Sequence, residues 1–286
     1  MFVIIGIGVV LAAVIGGYLM EHGNLSVLLQ PAELVIIFGA ATGGFLISSP
    51  LKVIKAVVGA LARMFSYKNY GKADYVDALM LLNGIFYKIR QQGLVSIESD
   101  VDAPSESALF SKYPNILKNR HAIDLITDTL RTVMTTTIAS HELEALIDSE
   151  LENHHEELLR PAQSVSFVAD ALPGLGIVAA VLGVIHTMGA ITEPPEVLGH
   201  LIGGALVGTF VGVWTSYGFI APISNAIRST HDSEMRYLHC IKSGLLAHLQ
   251  GYPPAVSVEF ARKALQTHVR PTFYEVEEAT QKLQPV

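Results

Sequence analysis

Cysteine is nearly missing from this chain. Cys240 is the single copy, so an internal disulfide is excluded, and nothing around it marks a metal ligand or a nucleophile. Charge is scarce too: 16% of residues are Asp, Glu, Lys or Arg, against 50% hydrophobic ones. So apolar a balance lies outside ordinary soluble domains and points first to the membrane class. The net charge of −7 says little about partners; a basic footprint for nucleic acid is absent, and none is expected as a partner. No repeat with a period of about 20 to 50 residues appears, so a solenoid is excluded. No nucleophile, base and orienting group recur together, and an enzyme therefore has least support.

The most informative absence is local. All 19 Lys and Arg residues fall between Lys52 and Arg160 and between Arg228 and Lys282, so residues 1–51 and 161–227 contain none. The first basic-free block holds two apolar runs, Met1 to Met20 and about Glu33 to Leu51. The second holds two more, about Val165 to Ala190 and Gly199 to Pro222. The expected fold is an all-α membrane protein with four transmembrane helices: spans 1 and 2 in 1–51, a large helical cytoplasmic insertion in 52–164, spans 3 and 4 in 165–222, and a helical cytoplasmic tail in 223–286. The short connectors, Glu21 to Ala32 and Ile191 to Leu198, lack Lys and Arg. The positive-inside rule therefore puts both termini and the insertion in the cytoplasm. Met1 to Met20 lacks a basic leader and an A-x-A cleavage site, so it reads as a retained anchor rather than a secretory signal.

The fourth run, LIGGALVGTFVGVWTSYGFIAP from Leu201 to Pro222, is 22 residues without a formal charge, about 33 Å of helix. Gly204, Gly208 and Gly212 recur every fourth residue and form a strip along which a neighbouring helix can approach closely. Gly39, Gly43 and Gly44 offer the same in the second run. Thr209 places a hydroxyl within the hydrocarbon, and Pro222 is expected to close the helix. In the insertion, DYVDALMLLNGIFYKIRQQG and the stretch from Asn119 to Leu158 place apolar residues three and four apart, the period of amphipathic helices. Gly93 is a C-cap candidate for the first of these. The tail reads as helical to about Gln250, breaks at Gly251-Tyr252-Pro253-Pro254, and ends with a helix through about Val269 before Pro271.

Candidate chemistry is sparse. The stretch from His141 to Glu157 is rich in His and Glu, yet it does not spell HExxH and lacks paired Glu-x-x-His helices, so it reads as a solvated acidic face and no metal is expected. His186 and His200 flank the outer connector; interfacial packing is the preferred reading there over a proton relay. Asp170, near the cytoplasmic start of the third run, has two readings: a functional intramembrane acid, or a wetted carboxylate favoured by the helix N-terminus. Pro173, inside that run, removes a main-chain hydrogen bond and leaves a carbonyl in need of another partner. Pro173 and Pro222 fall on one side of the membrane, and Ala180 and Thr209 fall at one level slightly outward of the midplane.

Ala205 to Trp214, followed by Pro222, resembles the signature of the bacterial flagellar motor stator subunit family MotA. So do GGYLM, QPAELVII, DALPGLGIVAAVLGVIH and HLQGYPPAVSVEFARK, so the resemblance covers essentially the whole chain. It implies a homo-oligomer in the bacterial inner membrane, with five copies around two of a MotB-like, single-span, peptidoglycan-anchored partner that carries the ion-binding aspartate. It implies no cofactor, the translocated ion apart. It assigns Arg90, Glu98 and Glu150 to contact with the rotor protein FliG, and Pro173 and Pro222 to coupling between protonation and conformational change. Asp170 matches an acidic family position. Sodium-driven members carry a second threonine seven residues after the first proline; here that position is Ala180, so a proton is the expected ion. Two alternatives stand beside this reading: an ExbB/TolQ-like energising subunit, which has three spans, and a self-sufficient ion transporter, for which the sequence shows no inverted repeat.

Overall fold

The computed structural model describes residues 2–66 and 70–283. Every regular element among them is helical: α1 (Phe2–Met20), α2 (Leu25–Leu28), α3 (Pro31–Ser48), α4 (Leu51–Ser66), α5 (Lys72–Gln92), α6 (Glu98–Asp102), α7 (Pro114–Leu117), α8 (Arg120–Thr135), α9 (Ser140–Met188), α10 (Pro195–Thr215), α11 (Ala221–Leu249), α12 (Pro254–Lys263) and α13 (Phe273–Leu283). Four stretches are long and apolar enough to cross a membrane, in α1, α3, α9 and α10. The chain divides into two compact units, Met1–Tyr67 with Leu158–Thr230, and Lys68–Glu157 with His231–Val286.

In the first unit, Ile37 and Ala41 of α3 pack with Leu172 and Ala179 of α9 and Val207 and Val211 of α10. Small residues allow this. A methyl group added at Gly212 would stand 2.6 Å from the Leu172 carbonyl, and one at Gly208 would stand 3.0 Å from the Ala179 Cβ. Gly208 and Gly212 of the α10 strip are thus closely covered by α9, while Gly204 faces Gln30. A second cluster joins Val57 and Ala60 of α4 to Ala162, Val165 and Ile227. Many outward side chains of the apolar stretches are themselves apolar, among them Ile4, Val9, Val35, Ile47, Ile185 and Leu206. A contiguous apolar exterior of this kind suits lipid or another membrane chain.

Two boundaries depart from the sequence reading. The last amphipathic run of the insertion and the third span form one helix of 49 residues, α9, with Pro161 and Pro173 inside it. Pro222 does not close the fourth span either. A π-helical turn, Ser216–Ile220, follows α10 and leads directly into α11, of which Pro222 is the second residue. A wide turn just ahead of a proline lets the helix absorb the missing donor instead of ending.

The second unit is organised on α5, which buries Tyr75, Leu79, Leu82, Ile85 and Phe86. Tyr237 of α11 stacks on Tyr70 at 4.3 Å and touches Tyr75. Burial pushes the Tyr75 hydroxyl up to about 12, so the phenol stays neutral. Gly244 admits Leu82 and Ala261 where a side chain would collide. Gly93 ends α5 with φ 82°, a backbone angle that favours glycine, and Lys88 then reaches Asp100 at 2.7 Å. Arg262 grips Glu259 with two bonds of 2.6 Å and donates to the Pro271 carbonyl at 2.8 Å. Beyond Pro271 a further helix, α13, lies where the sequence reading places none. Its start is a capping box: Glu275 accepts from the Thr272 N–H at 2.6 Å while the Thr272 hydroxyl accepts from the Glu275 N–H.

The acids of the stretch from His141 to Glu157 are exposed, as expected, but His154 turns inward. The His154 imidazole, with 12% of its side chain exposed, sits 3.9 Å from the His121 ring by centroid, and its Nε2 is 3.9 Å from a Glu234 oxygen. His154 holds the Glu234 carboxyl below its ordinary range, against the opposing effect of burial. His121 lies far upstream and Glu234 far downstream of this stretch, so tertiary packing alone makes the group.

Candidate functional site: a proline–serine joint between two apolar helices

A helix residue four places after a carbonyl normally supplies that carbonyl's N–H. Pro173 has none, so the carbonyl of Ala169 is left over. The Ser216 hydroxyl donates to it at 2.6 Å, and both residues are buried. The partner sought for that carbonyl is therefore a side chain of the other helix.

Ser216 also opens the π turn. Its own carbonyl accepts from the Ala221 N–H, five residues on, immediately before Pro222. The irregular points of α9 and of the α10–α11 segment thus meet through one hydrogen bond. About two turns further along, the Ser224 hydroxyl makes a similar bond of 2.8 Å to the Ala162 carbonyl. The two differ in consequence: Ala162 keeps the helical donor Ser166, whereas loss of the Ser216 bond leaves the Ala169 carbonyl buried and unpaired.

Toward the other end of the same helix pair, Ala180 and Thr209 each lie against a glycine of the opposite helix, Ala180 against Gly208 and Thr209 against Gly176. A methyl built at Gly208 would stand 3.2 Å from the Ala180 nitrogen, and one built at Gly176 would stand 3.3 Å from the Thr209 Cα. Both residues are half-buried. Asp170 is exposed and lines a cleft of about 320 Å³ with Gln163, Ser166, Asn225 and Arg228. The basic neighbour comes from α11, outside the span, which is why the span's own composition gives no hint of it.

The remaining three positions lie in the second unit. Arg90 is exposed in the last turn of α5, where a cation suits the helix dipole, and Glu98 is exposed in the first turn of α6, where an anion does. Glu150 is exposed on α9; partial desolvation first, then the Asp128 charge, push its carboxyl up. Sequence reasoning misses Glu33. The sequence places it at the polar edge of an apolar run, yet it is 8% exposed in the first turn of α3, and its Oε2 has no hydrogen-bond partner. A lone acid in a run without Lys or Arg is the available signal.

Two family models match the chain: Motility protein A N-terminal over residues 4–93, and the MotA/TolQ/ExbB proton channel family over residues 118–239. Motility protein A of Escherichia coli (strain K12) is 44% identical over 278 residues, covering 97% of this chain and 94% of the relative. Chemotaxis protein LafT of Vibrio parahaemolyticus is 34% identical over 273 residues, 96% of each. Two solved structures share the fold. MotAB of C. jejuni superposes with a TM-score of 0.76 at 17% identity, covering 95% of this chain and 98% of that one. The flagellar MotAB stator complex from Bacillus subtilis gives 0.73 at 21%, covering 94% and 98%.

Proposed function

Since the chain belongs to the motility protein A branch of the MotA/TolQ/ExbB proton channel family, we propose that it joins a MotB-like, peptidoglycan-anchored partner to pass protons and to convert their flow into torque on the rotor protein FliG. It is a multi-pass inner-membrane stator subunit of the flagellar motor. Its family is one of channels and stators rather than of known enzymes. In our reading five copies surround two of the partner, both termini and the second unit are cytoplasmic, and Arg90, Glu98 and Glu150 face the rotor. An ExbB/TolQ-like role has less support, because the N-terminal match is specific to motility protein A and four apolar stretches are present.

The observation that carries the mechanism is the Ser216–Ala169 bond, which ties the Pro173 and Pro222 irregularities together. A partner carboxylate that titrates beside this joint changes the local charge, and a helix already short of main-chain bonds is the element that responds. One charge crossing about 150 mV releases roughly 3.5 kcal/mol. That biases a two-state packing by a few hundredfold. Thr209 offers one oxygen to an ion and Ala180 offers none, so the site is poor in sodium ligands and suits a proton.

The tests are direct. Swimming speed should be indifferent to sodium at fixed proton-motive force; speed that climbs with sodium and vanishes without it refutes the proton assignment. Reversing both charges, Arg90→Glu with Glu98→Lys, should impair swimming while membrane assembly persists, because exposed charges contribute little to stability. Normal motility in that variant would remove both residues from the rotor interface.

A further inference from the structure

Glu33 is a carboxyl that the joint does not use. Its two oxygens occupy a slot made by absent side chains, Oε1 3.0 Å from where a Gly183 Cβ would stand and Oε2 against the position of a Gly208 Cβ. The Oε2 atom is buried without a hydrogen-bond partner. No Lys or Arg occurs in residues 1–51 or 161–227, so no cation of its own unit's spans neutralises it. An ionised carboxylate so placed is costly, whereas a protonated one is tolerated. Glu33 also borders a cavity of about 750 Å³ lined by Gln30, His186, Thr187, Glu196 and His200. Polar groups line part of that largely apolar space, which is large enough for water, and they give protons a route to the carboxyl. Its titratable walls are His186 of α9 and Glu196 and His200 of α10; α3 contributes Glu33 alone. On the far side, Gly208 adjoins Thr209 in sequence and touches Ala180. The carboxyl therefore stands between a wet cavity and the Ala180–Thr209 level.

We propose that Glu33 is a proton-loading site: its carboxylate takes a proton from hydronium in the cavity, forming an O–H bond and releasing water, and then passes it to a water molecule on the Thr209 side, which becomes hydronium as the carboxylate re-forms. This rests on the proton-conducting reading above. The small residues at 183 and 208 then have a second purpose, since they make room for a neutral carboxyl between two close-packed helices.

The test is proton flux through the full chain co-purified with its MotB-like partner and reconstituted in vesicles that hold a pH-sensitive dye. Glu33→Gln keeps size and hydrogen-bonding capacity but cannot exchange a proton. It should assemble normally and lose at least about tenfold in flux, as removing a general acid–base group commonly does. Glu33→Asp should retain flux, with a pH midpoint displaced from that of the unchanged protein. Wild-type flux in Glu33→Gln, or loss of flux in step with loss of assembly, would make the residue a packing element and overturn the proposal. A wild-type complex that passes no protons would instead refute the channel reading, and the loading site with it.

Discussion

Replacing Ser216 by alanine should unpair the Ala169 carbonyl, and the size of the effect follows from what else that carbonyl can reach. Pro173 cannot supply a donor, and the site is buried in an apolar unit, so the carbonyl keeps its desolvation cost without compensation. Unsatisfied buried acceptors cost about 1–3 kcal/mol, and hydrogen bonds between membrane helices average closer to ~0.6 kcal/mol. About 1–2 kcal/mol is therefore expected for Ser216→Ala. A sharper demand falls on the double variant. Pro173→Ala restores an N–H four residues after Ala169, and with that donor in place the serine becomes dispensable. Denaturant titration of the purified chain in detergent, across the cycle of wild type, Ser216→Ala, Pro173→Ala and both, should give a coupling of roughly 1 kcal/mol. Ser216→Thr should preserve the bond. An equal cost for Ser216→Ala with and without the Pro173→Ala change would show that the hydroxyl does not answer for the missing donor.

Two further outcomes follow from the same structure. Gly208→Ala should destabilise the first unit by about 1–3 kcal/mol, because the methyl meets Glu33, Ala179 and the Ala180 nitrogen together; the thermal midpoint in detergent reads it, and an unchanged midpoint would mean α9 and α10 are looser than their contacts imply. The second concerns acid. Burial lowers the proton affinity of His121, His239 and His248 in the folded chain, so the unfolded chain binds more protons as pH falls through about 6.5. Stability should accordingly fall between about pH 7 and 5.5, and His248→Gln should flatten that slope; a midpoint that rises on acidification would contradict the assignment.

Much of this is legible in the sequence because the membrane imposes a coarse grammar. Two blocks without Lys or Arg locate four apolar stretches, and two of the three periodic glycines, Gly208 and Gly212, mark the face against which α9 packs. What escapes is set by local exceptions to simple rules. Pro222 reads as a terminator, since proline lacks a donor, but a π turn beginning at Ser216 carries the helix past it, and no composition rule announces such a turn. The serine that answers Pro173 lies on another helix, so the freed carbonyl is foreseeable and its partner is not. Glu33 reads as a boundary because acids usually mark one, and burial reverses that meaning. The cap at Thr272 and Glu275 is different: its spacing is visible, and α13 is overlooked because Pro271 reads as the end of the helical tail. His121, His154 and Glu234 meet only through tertiary packing.

The contact between α9 and α10 has one more consequence. At its centre lie Gly176, Ala179, Gly208 and Gly212, residues with no χ angles to freeze. Most interior surfaces interlock, and shifting one past another demands that many rotamers change together. Here the two backbones meet nearly bare, and side-chain entropy is neither lost on contact nor recovered on separation. A seam of this sort is smooth along its middle and pinned at one point, the Ser216–Ala169 bond, so a small twist about that point misregisters few side chains. For a stator subunit, a bearing surface with few teeth is one across which two helices can turn without repacking.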